Sequence, residues 1–172
     1  MENLKRVFGD VLDEDQLIAL AGAFYGHYLQ CLGEFFRMPF LSLKRKQSLV
    51  RIEGREHLLD ALELGKGVLI LTGHFGNWEV STIAGISQFS EYRGRFHFIR
   101  RPLKPKWFND LVMKRFHEAG FGTLEKMDSL DTILDLLEKN DFVVSILDQY
   151  TIKRFSVRSE FFGYTVNTFK SL

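Results

Sequence analysis

The chain has 172 residues, of which 45% are hydrophobic and 26% are charged. This supply of apolar side chains excludes a disordered chain, and a single cysteine, Cys31, excludes an internal disulfide framework. The 23 basic and 22 acidic residues leave a net charge of +1, which gives no indication of a nucleic-acid partner. The length suits one domain.

The front of the chain is predicted to be helical. Apolar residues recur at three- and four-residue steps over residues 14–37, which predicts one helix that Pro39 ends. A short strand over 49–53 and a helix over 56–64 follow. No run of about 20 uninterrupted apolar residues is present, because polar residues and Pro39 interrupt the best candidate, residues 17–43. The start also lacks the pattern of a signal peptide.

From residue 67 onward strands and helices alternate. The strands are predicted at 67–72, 96–99, 121–124 and 142–147, and the helices at 79–89, 106–117 and 129–139. The run 67–72 is continuously apolar and bounded by glycines, which is typical of a strand buried on both faces. This alternation predicts an α/β fold on a mostly parallel sheet flanked by helices. A further strand begins within 155–162. We therefore expect one domain over 1–172, with a helical segment at about 1–43 and an α/β core at about 49–172.

The net charge is close to zero, but basic and acidic residues are concentrated in different segments of the chain. Residues 118–148 carry eight acidic residues against two lysines. Residues 93–117 carry one acidic residue, Asp110, against eight basic ones: Arg93, Arg95, Arg100, Arg101, Lys104, Lys106, Lys114 and Arg115. Two solvated helix faces would explain this, and so would a basic patch that meets an anionic partner.

The residues that indicate chemistry follow the strand at 67–72. Gly73 and Gly76 permit a tight turn there and close approach of a substrate to the backbone. His74 is a side chain that can act as a base near neutral pH, and Glu79, five residues on, could accept a hydrogen bond from one imidazole nitrogen. Backbone amides at the start of the next helix would favour a developing oxyanion. The alternative is a structural histidine with a chance carboxylate nearby.

Other kinds of site are not indicated. The remaining histidines show no metal-ligand spacing with His74: His27, His57, His97 and His117. The glycines match neither a phosphate-binding loop nor a dinucleotide fingerprint. We therefore expect no metal and no bound cofactor.

The segment Gly73–Glu79, which reads G-H-F-G-N-W-E, resembles the H-x4-D/E block of the lysophospholipid acyltransferase superfamily. Its wording is similar to that of the lipid A biosynthesis (lauroyl/myristoyl) acyltransferases and their mycobacterial phosphatidylinositol mannoside relatives. The resemblance continues through Ile99–Lys104, which is similar to an R-P-L block, through Asp148-Gln149, and through Phe161–Gly163. It covers roughly residues 20–172, and implies a glycerolipid acyltransferase-like fold that continues beyond this chain.

The resemblance implies transfer of an acyl chain from a thioester on acyl carrier protein, or on coenzyme A, to a hydroxyl of a lipid A-like glycolipid. His74 would be the general base and Glu79 would orient it. Arg101 would bind a phosphate through its fork of donors. Asp148 would line the site, although a turn or capping aspartate is an equal alternative, and Gly76 and Asn77 would contact substrate.

The same resemblance implies the setting of the protein. Its partners would be acyl carrier protein, the glycolipid acceptor and an anionic membrane surface, at the cytoplasmic face of the bacterial inner membrane, with no nucleic acid. Phe35, Phe36, Phe40 and Trp107 could lie in the membrane interface, with core packing the favoured reading for Phe36 and Trp107. Two alternatives stay open: another phospholipid or glycolipid acceptor, such as a mannosylated one, and an inactive, truncated module that binds membrane or carrier protein.

Overall fold

A computed structural model describes residues 1–100, 102–125 and 129–169. Its centre is a four-stranded parallel sheet in the order β1-β4-β2-β3, formed by β1 (Val68–Thr72), β2 (Phe96–Arg100), β3 (Phe121–Glu125) and β4 (Phe142–Ile146). The α/β prediction is confirmed. Strand β4 is the last of the four along the chain, yet it lies between β1 and β2.

Most helices of the described chain cover one face of this sheet. They are α2 (Glu14–Arg37), α4 (Arg55–Glu63), α5 (Trp78–Ile86) and α6 (Lys106–Ala119), with a 3₁₀ turn at Met38–Phe40 and a short helix α3 (Leu43–Gln47). The core between them is rich in aromatic rings, and Phe96 and Phe142 stack with centroids 4.1 Å apart. This packing uses many of the 17 phenylalanines of the chain.

The opposite face of the sheet is covered, within the described residues, by α7 (Ser129–Glu138). Ile133 of α7 is buried, and so is Val143 of β4. Leu69 and Leu71, on the edge strand β1, are 37% and 57% exposed. The prediction that this strand is buried on both faces is therefore wrong, because an edge strand has a neighbour on one side alone and α7 leaves it uncovered.

The predicted helix over 14–37 is confirmed, with a well-formed start. Asp13 accepts a hydrogen bond from the Gln16 amide, and the Gln16 side chain accepts one from the Asp13 amide. This reciprocal arrangement is a capping box, in which the cap contributes about 1 kcal/mol. Before it lies α1 (Glu2–Phe8). Among the described residues, no helix combines the length and apolar character needed to cross a membrane.

The predicted strand over 49–53 is wrong. These residues form a turn and extended coil that joins α3 to α4. Val50 and Ile52 pack against the core, while the Val50 carbonyl accepts a hydrogen bond from the Gln88 side chain at 2.7 Å. Val50 and Ile52 alternate with charged residues as they would in a strand, but they belong to a loop that the Gln88 side chain holds.

The end of the described chain forms a separate antiparallel hairpin, β5 (Ser156–Phe161) and β6 (Tyr164–Phe169). The predicted strand within 155–162 corresponds to β5. The hairpin contacts α1 through the hydroxyl of Tyr164, which donates to the Arg6 carbonyl at 2.7 Å, and through the rings of Phe8 and Phe162.

Candidate functional site

The site lies where two adjacent parallel strands end. The last register pair between β1 and β4 joins Thr72 to Ile146, and the amide of Leu147 donates to the Thr72 carbonyl. His74 and Asp148 each lie two residues beyond that pair. The carboxyl edge of a parallel sheet is the usual position for ligands in open α/β folds, and here it brings a base and a carboxylate together.

Asp148 binds His74 in two ways. Its Oδ1 lies 2.8 Å from the imidazole Nδ1, and its Oδ2 accepts a hydrogen bond from the backbone amide of His74. Burial raises the pKa of Asp148, but the hydrogen bonds from the side chain and the backbone of His74 outweigh this, and the net pKa lies below its ordinary value. The carboxylate therefore stays ionised and holds Nδ1 as the protonated nitrogen, which leaves Nε2 as the basic one.

Gly73 makes this approach possible. A Cβ on Gly73 would lie 3.0 Å from Oδ2 of Asp148 and 3.2 Å from its Cγ, closer than ordinary van der Waals contact. The absence of a side chain there lets the carboxylate reach the backbone of the neighbouring strand. Gly76, with a φ of 60°, supplies the left-handed turn that leads into α5.

Trp78 and Gln149 complete the surroundings of the imidazole. The Trp78 ring meets His74 edge-on, with centroids 5.2 Å apart, and stacks on the buried Phe116. Nε2 of Gln149 lies 3.4 Å from Nε2 of His74. The His74 side chain is 33% exposed, so a small hydroxyl compound can reach it from solvent. The sequence did not assign a role to Trp78 or Gln149.

The structure differs from the prediction for Glu79. Within the described residues the hydrogen-bond partners of the imidazole are Asp148 and Gln149, and Glu79 acts on it through its charge alone. Burial raises the pKa of Glu79 above its ordinary value. Glu79 lies in the first turn of α5, whereas the carboxylate that reaches Nδ1 comes from the end of the adjacent strand β4.

Asn77 also differs from its predicted role as a substrate contact. Its Oδ1 accepts from the Val80 amide and caps α5, while its Nδ2 donates to Glu34 of α2 at 2.6 Å. Hydrogen bonds from Gln30 and then from Asn77 lower the pKa of Glu34. Both ends of the amide are thus engaged by protein groups, and the contact joins α2 to the turn that carries His74.

The remaining predicted residues are placed as follows. Arg101 lies outside the described residues. Its neighbour Arg100 is half-buried at the end of β2, where it contacts Asn109 and Met113 of α6, and burial lowers its pKa.

Phe35 is buried in the core, whereas Phe36, Phe40 and Trp107 are 43%, 85% and 68% exposed. Core packing is therefore the wrong reading for Phe36 and Trp107. In the described part of the chain no cluster of three potential metal ligands occurs.

These features define an α/β domain with a histidine–carboxylate pair at the carboxyl edge of its sheet. A profile of the family described as bacterial lipid A biosynthesis acyltransferase matches residues 1–171. The chain belongs to this family, which confirms the resemblance in the sequence.

Relatives in mycobacteria are similar over most of this chain. It is 27% identical over 169 residues to the phosphatidylinositol mannoside acyltransferase of Mycolicibacterium smegmatis, covering 94% of this chain and 52% of that protein. It is 27% identical over 170 residues to the protein of the same name from Mycobacterium tuberculosis, covering 94% of this chain and 51% of that protein. The chain thus spans about half the length of the curated relatives it matches.

Proposed function

We propose that the protein is an O-acyltransferase that moves a fatty acyl chain from a thioester to a hydroxyl of a lipid A-like glycolipid. The observation that carries the proposal is the 2.8 Å contact between His74 Nδ1 and Asp148 Oδ1, at the carboxyl edge of the sheet and open to solvent. Membership of an acyltransferase family supports the reaction class.

The chemistry needs a base and little else. His74 Nε2 takes the proton of the acceptor hydroxyl, and the oxygen attacks the thioester carbonyl. The tetrahedral intermediate collapses, breaks the C–S bond and expels the thiolate, which takes the proton back from the imidazolium. Asp148 stabilises the imidazolium while it exists. The positive end of the α5 dipole, in the turn that begins at Trp78, lies at the same edge and favours the oxyanion.

The two carboxylates have different proposed roles. Asp148 is the orienting group, because it holds Nδ1 and the backbone amide of the same residue. Glu79 is a half-buried second charge that favours the imidazolium without touching it. Arg101, Gly76 and Asn77 were predicted as substrate contacts. We keep Arg101 as a phosphate-binding residue and Gly76 as the point of close backbone approach, and assign Asn77 to holding the turn.

The donor, the partners and the location complete the proposal. The donor is an acyl carrier protein or coenzyme A thioester, and no bound cofactor or metal takes part. The protein works at the cytoplasmic face of the bacterial inner membrane, on an anionic surface. Exposed Phe36, Phe40 and Trp107 support this, because apolar side chains of that size gain free energy in a membrane interface.

The principal test is acyl transfer by the 172-residue chain. Thioester consumption and product formation are measured with acyl carrier protein thioester and a lipid A precursor, for the wild type and for His74→Ala. We expect His74→Ala to lose at least about a hundredfold in turnover, because a general base contributes 10²–10⁴-fold, with an unchanged melting temperature. Near-normal turnover in the variant would remove His74 from the mechanism.

A second acceptor class is favoured by one observation, the name of the mycobacterial relatives. Parallel assays with a phosphatidylinositol mannoside acceptor separate the two, since the better acceptor shows the higher kcat/KM. The remaining alternative is an inactive module. Binding to acyl carrier protein or to vesicles without thioester consumption by the wild type would favour that module and overturn the transferase.

A further inference from the structure

A cleft with polar and apolar walls lies at the far end of α5 from His74. It has a volume of about 180 Å³ and is bounded by the 3₁₀ turn Met38–Phe40, by α3, by the carboxyl ends of α5 and α6, and by the segment just before β2. Helix α5 is nine residues long, about 13 Å, which separates this cleft from the histidine. The proposed mechanism makes no use of it.

Three cations line this cleft. They are Lys46 of α3, Arg93 before β2 and Arg115 of α6, against one carboxylate, Glu118. Arg115 contacts Glu118 Oε2 at 3.1 Å, and Arg93 donates one hydrogen bond to the Glu118 carbonyl at 2.5 Å. Each guanidinium keeps further N–H donors, because it carries five. The cleft therefore has a positive balance, and its arginines are already held in place.

Lys46 adds a third cation, which no group among the described residues neutralises. Lys46 is half-buried, and within the described part of the chain its Nζ has neither a hydrogen bond nor an ion pair. By comparison, Lys106 of α6 is paired with Asp110 at 2.7 Å. A half-buried ammonium with no protein partner can be stabilised by an anionic ligand.

The rest of the cleft is apolar and opens onto exposed apolar side chains. Met38, Ile83 and Ile86 line it together with Leu43, which is 61% exposed. Phe40, in the adjoining 3₁₀ turn, is 85% exposed. A soluble phosphate compound gains nothing from these side chains, whereas a lipid offers an anionic headgroup to the cations and acyl chains to Leu43 and Phe40.

We propose that this cleft binds the headgroup of an anionic phospholipid and so fixes the face that the domain turns to the membrane. Lys46, Arg93 and Arg115 bind the phosphate, while Leu43 and Phe40 enter the interface. The inference makes specific the anionic membrane surface proposed above and rests on that part of the proposed function. It does not depend on acyl transfer.

The test is cosedimentation of the chain with vesicles of phosphatidylcholine alone or mixed with phosphatidylglycerol, with no acyl donor. The double variant Lys46→Gln/Arg115→Gln is compared with Lys66→Gln/Lys139→Gln, which removes the same charge from exposed positions outside the cleft. We expect the cleft variant to bind the mixed vesicles about 30-fold more weakly, since each basic group at an anionic surface contributes about a factor of five. The control should lose much less, and both should melt like the wild type.

Further arms distinguish lipid from a free anion. Phe40→Ser is expected to weaken binding to the mixed vesicles, and inorganic phosphate at low concentration should leave binding unchanged. Equal losses in the two double variants, or wild-type binding by the cleft variant, would overturn the site while leaving membrane association intact. Displacement by inorganic phosphate together with no effect of Phe40→Ser would assign the cleft to a soluble anion instead. Failure of the wild type to bind any vesicle would overturn both the site and the membrane association.

Discussion

Two histidine–aspartate pairs lie at opposite ends of strand β4. At its carboxyl end, Asp148 holds Nδ1 of His74 at 2.8 Å. At its amino end, Asp141 lies 3.1 Å from Nε2 of His97. The side chains of the first pair are 33% and 43% exposed, while both side chains of the second are 15% exposed. The same two residue types thus meet at both ends of β4, once in an open setting and once in an enclosed one.

A third residue, Arg95, accounts for the different roles of the two pairs. Asp141 also accepts a hydrogen bond from Nε of Arg95 at 3.0 Å, so that its charge is neutralised by a fixed cation. The ring of His97 is enclosed further by Gly122 on β3, where any side chain would collide with Nδ1. The His74 side chain is 33% exposed, and its other nitrogen lies 3.4 Å from the Gln149 amide nitrogen. A histidine–carboxylate pair is therefore a candidate base only where its second nitrogen is accessible.

The largest expected effect is on catalytic turnover, which should depend on the open pair and not on the enclosed one. For the proposed acyl transfer, Asp148→Asn should lower kcat by between about 10² and 10⁴-fold, because the amide no longer stabilises the imidazolium or fixes its tautomer. Asp141→Asn should leave kcat within about twofold. Turnover of the two variants under saturating thioester measures the contrast. Equal losses would mean that Asp148 acts through the fold alone.

The next effect is on stability, for which the enclosed pair should matter more than the open one. Asp141→Ala leaves the His97 side chain, which is 15% exposed, without its acceptor and Arg95, which is 34% exposed, without its ion pair, so we expect the free energy of unfolding to fall by about 2 kcal/mol. Asp148→Ala, at an exposed pair, should cost less than about 1 kcal/mol. Urea unfolding of both variants checks this. A greater loss for Asp148 would show that the site, and not the amino end of β4, holds the two strands together.

The smallest effect is the pH dependence of the stability that the open pair contributes. The native pKa of Asp148 lies below its ordinary value, so the unfolded chain takes up the proton first as pH falls. The stabilisation by this carboxylate should be fully present above about pH 5 and be lost below about pH 4, with an amplitude of less than about 1 kcal/mol. Unfolding of the wild type and of Asp148→Asn across this range gives the difference. A difference that grows with acidity would contradict the lowered pKa.

Local patterns predicted the elements well but could not predict their order in space. The boundaries of α2, α6 and β4 follow from apolar periodicity, from capping residues and from Pro39, all of which are local. The insertion of β4 between β1 and β2 depends on pairing between distant segments, and no spacing along the chain records it. For that reason the sequence assigned the imidazole to Glu79, five residues away, whereas the fold delivers Asp148, 74 residues away.

The candidate site shows the same limit. The G-H-F-G-N-W-E wording identified His74, and the strand before Asp148 indicated a position at the sheet edge. The role of Asn77 could not be read, because its partner Glu34 lies 43 residues earlier, on a helix whose packing depends on the whole core. The exposure of β1 was also predicted wrongly. A continuous apolar run predicted burial of β1 on both faces, and sheet position overrode it.

The uncovered face of β1 has a consequence for how the protein behaves at high concentration. Leu69 and Leu71 lie on an edge strand, and Leu130 and Leu134 are about half exposed on α7. An open strand edge with apolar side chains is a template on which another chain can add its own backbone. We therefore expect the chain to self-associate through this strand as its concentration rises, which light scattering would measure. A lysine in place of Leu71 would act as a gatekeeper against intermolecular strand pairing.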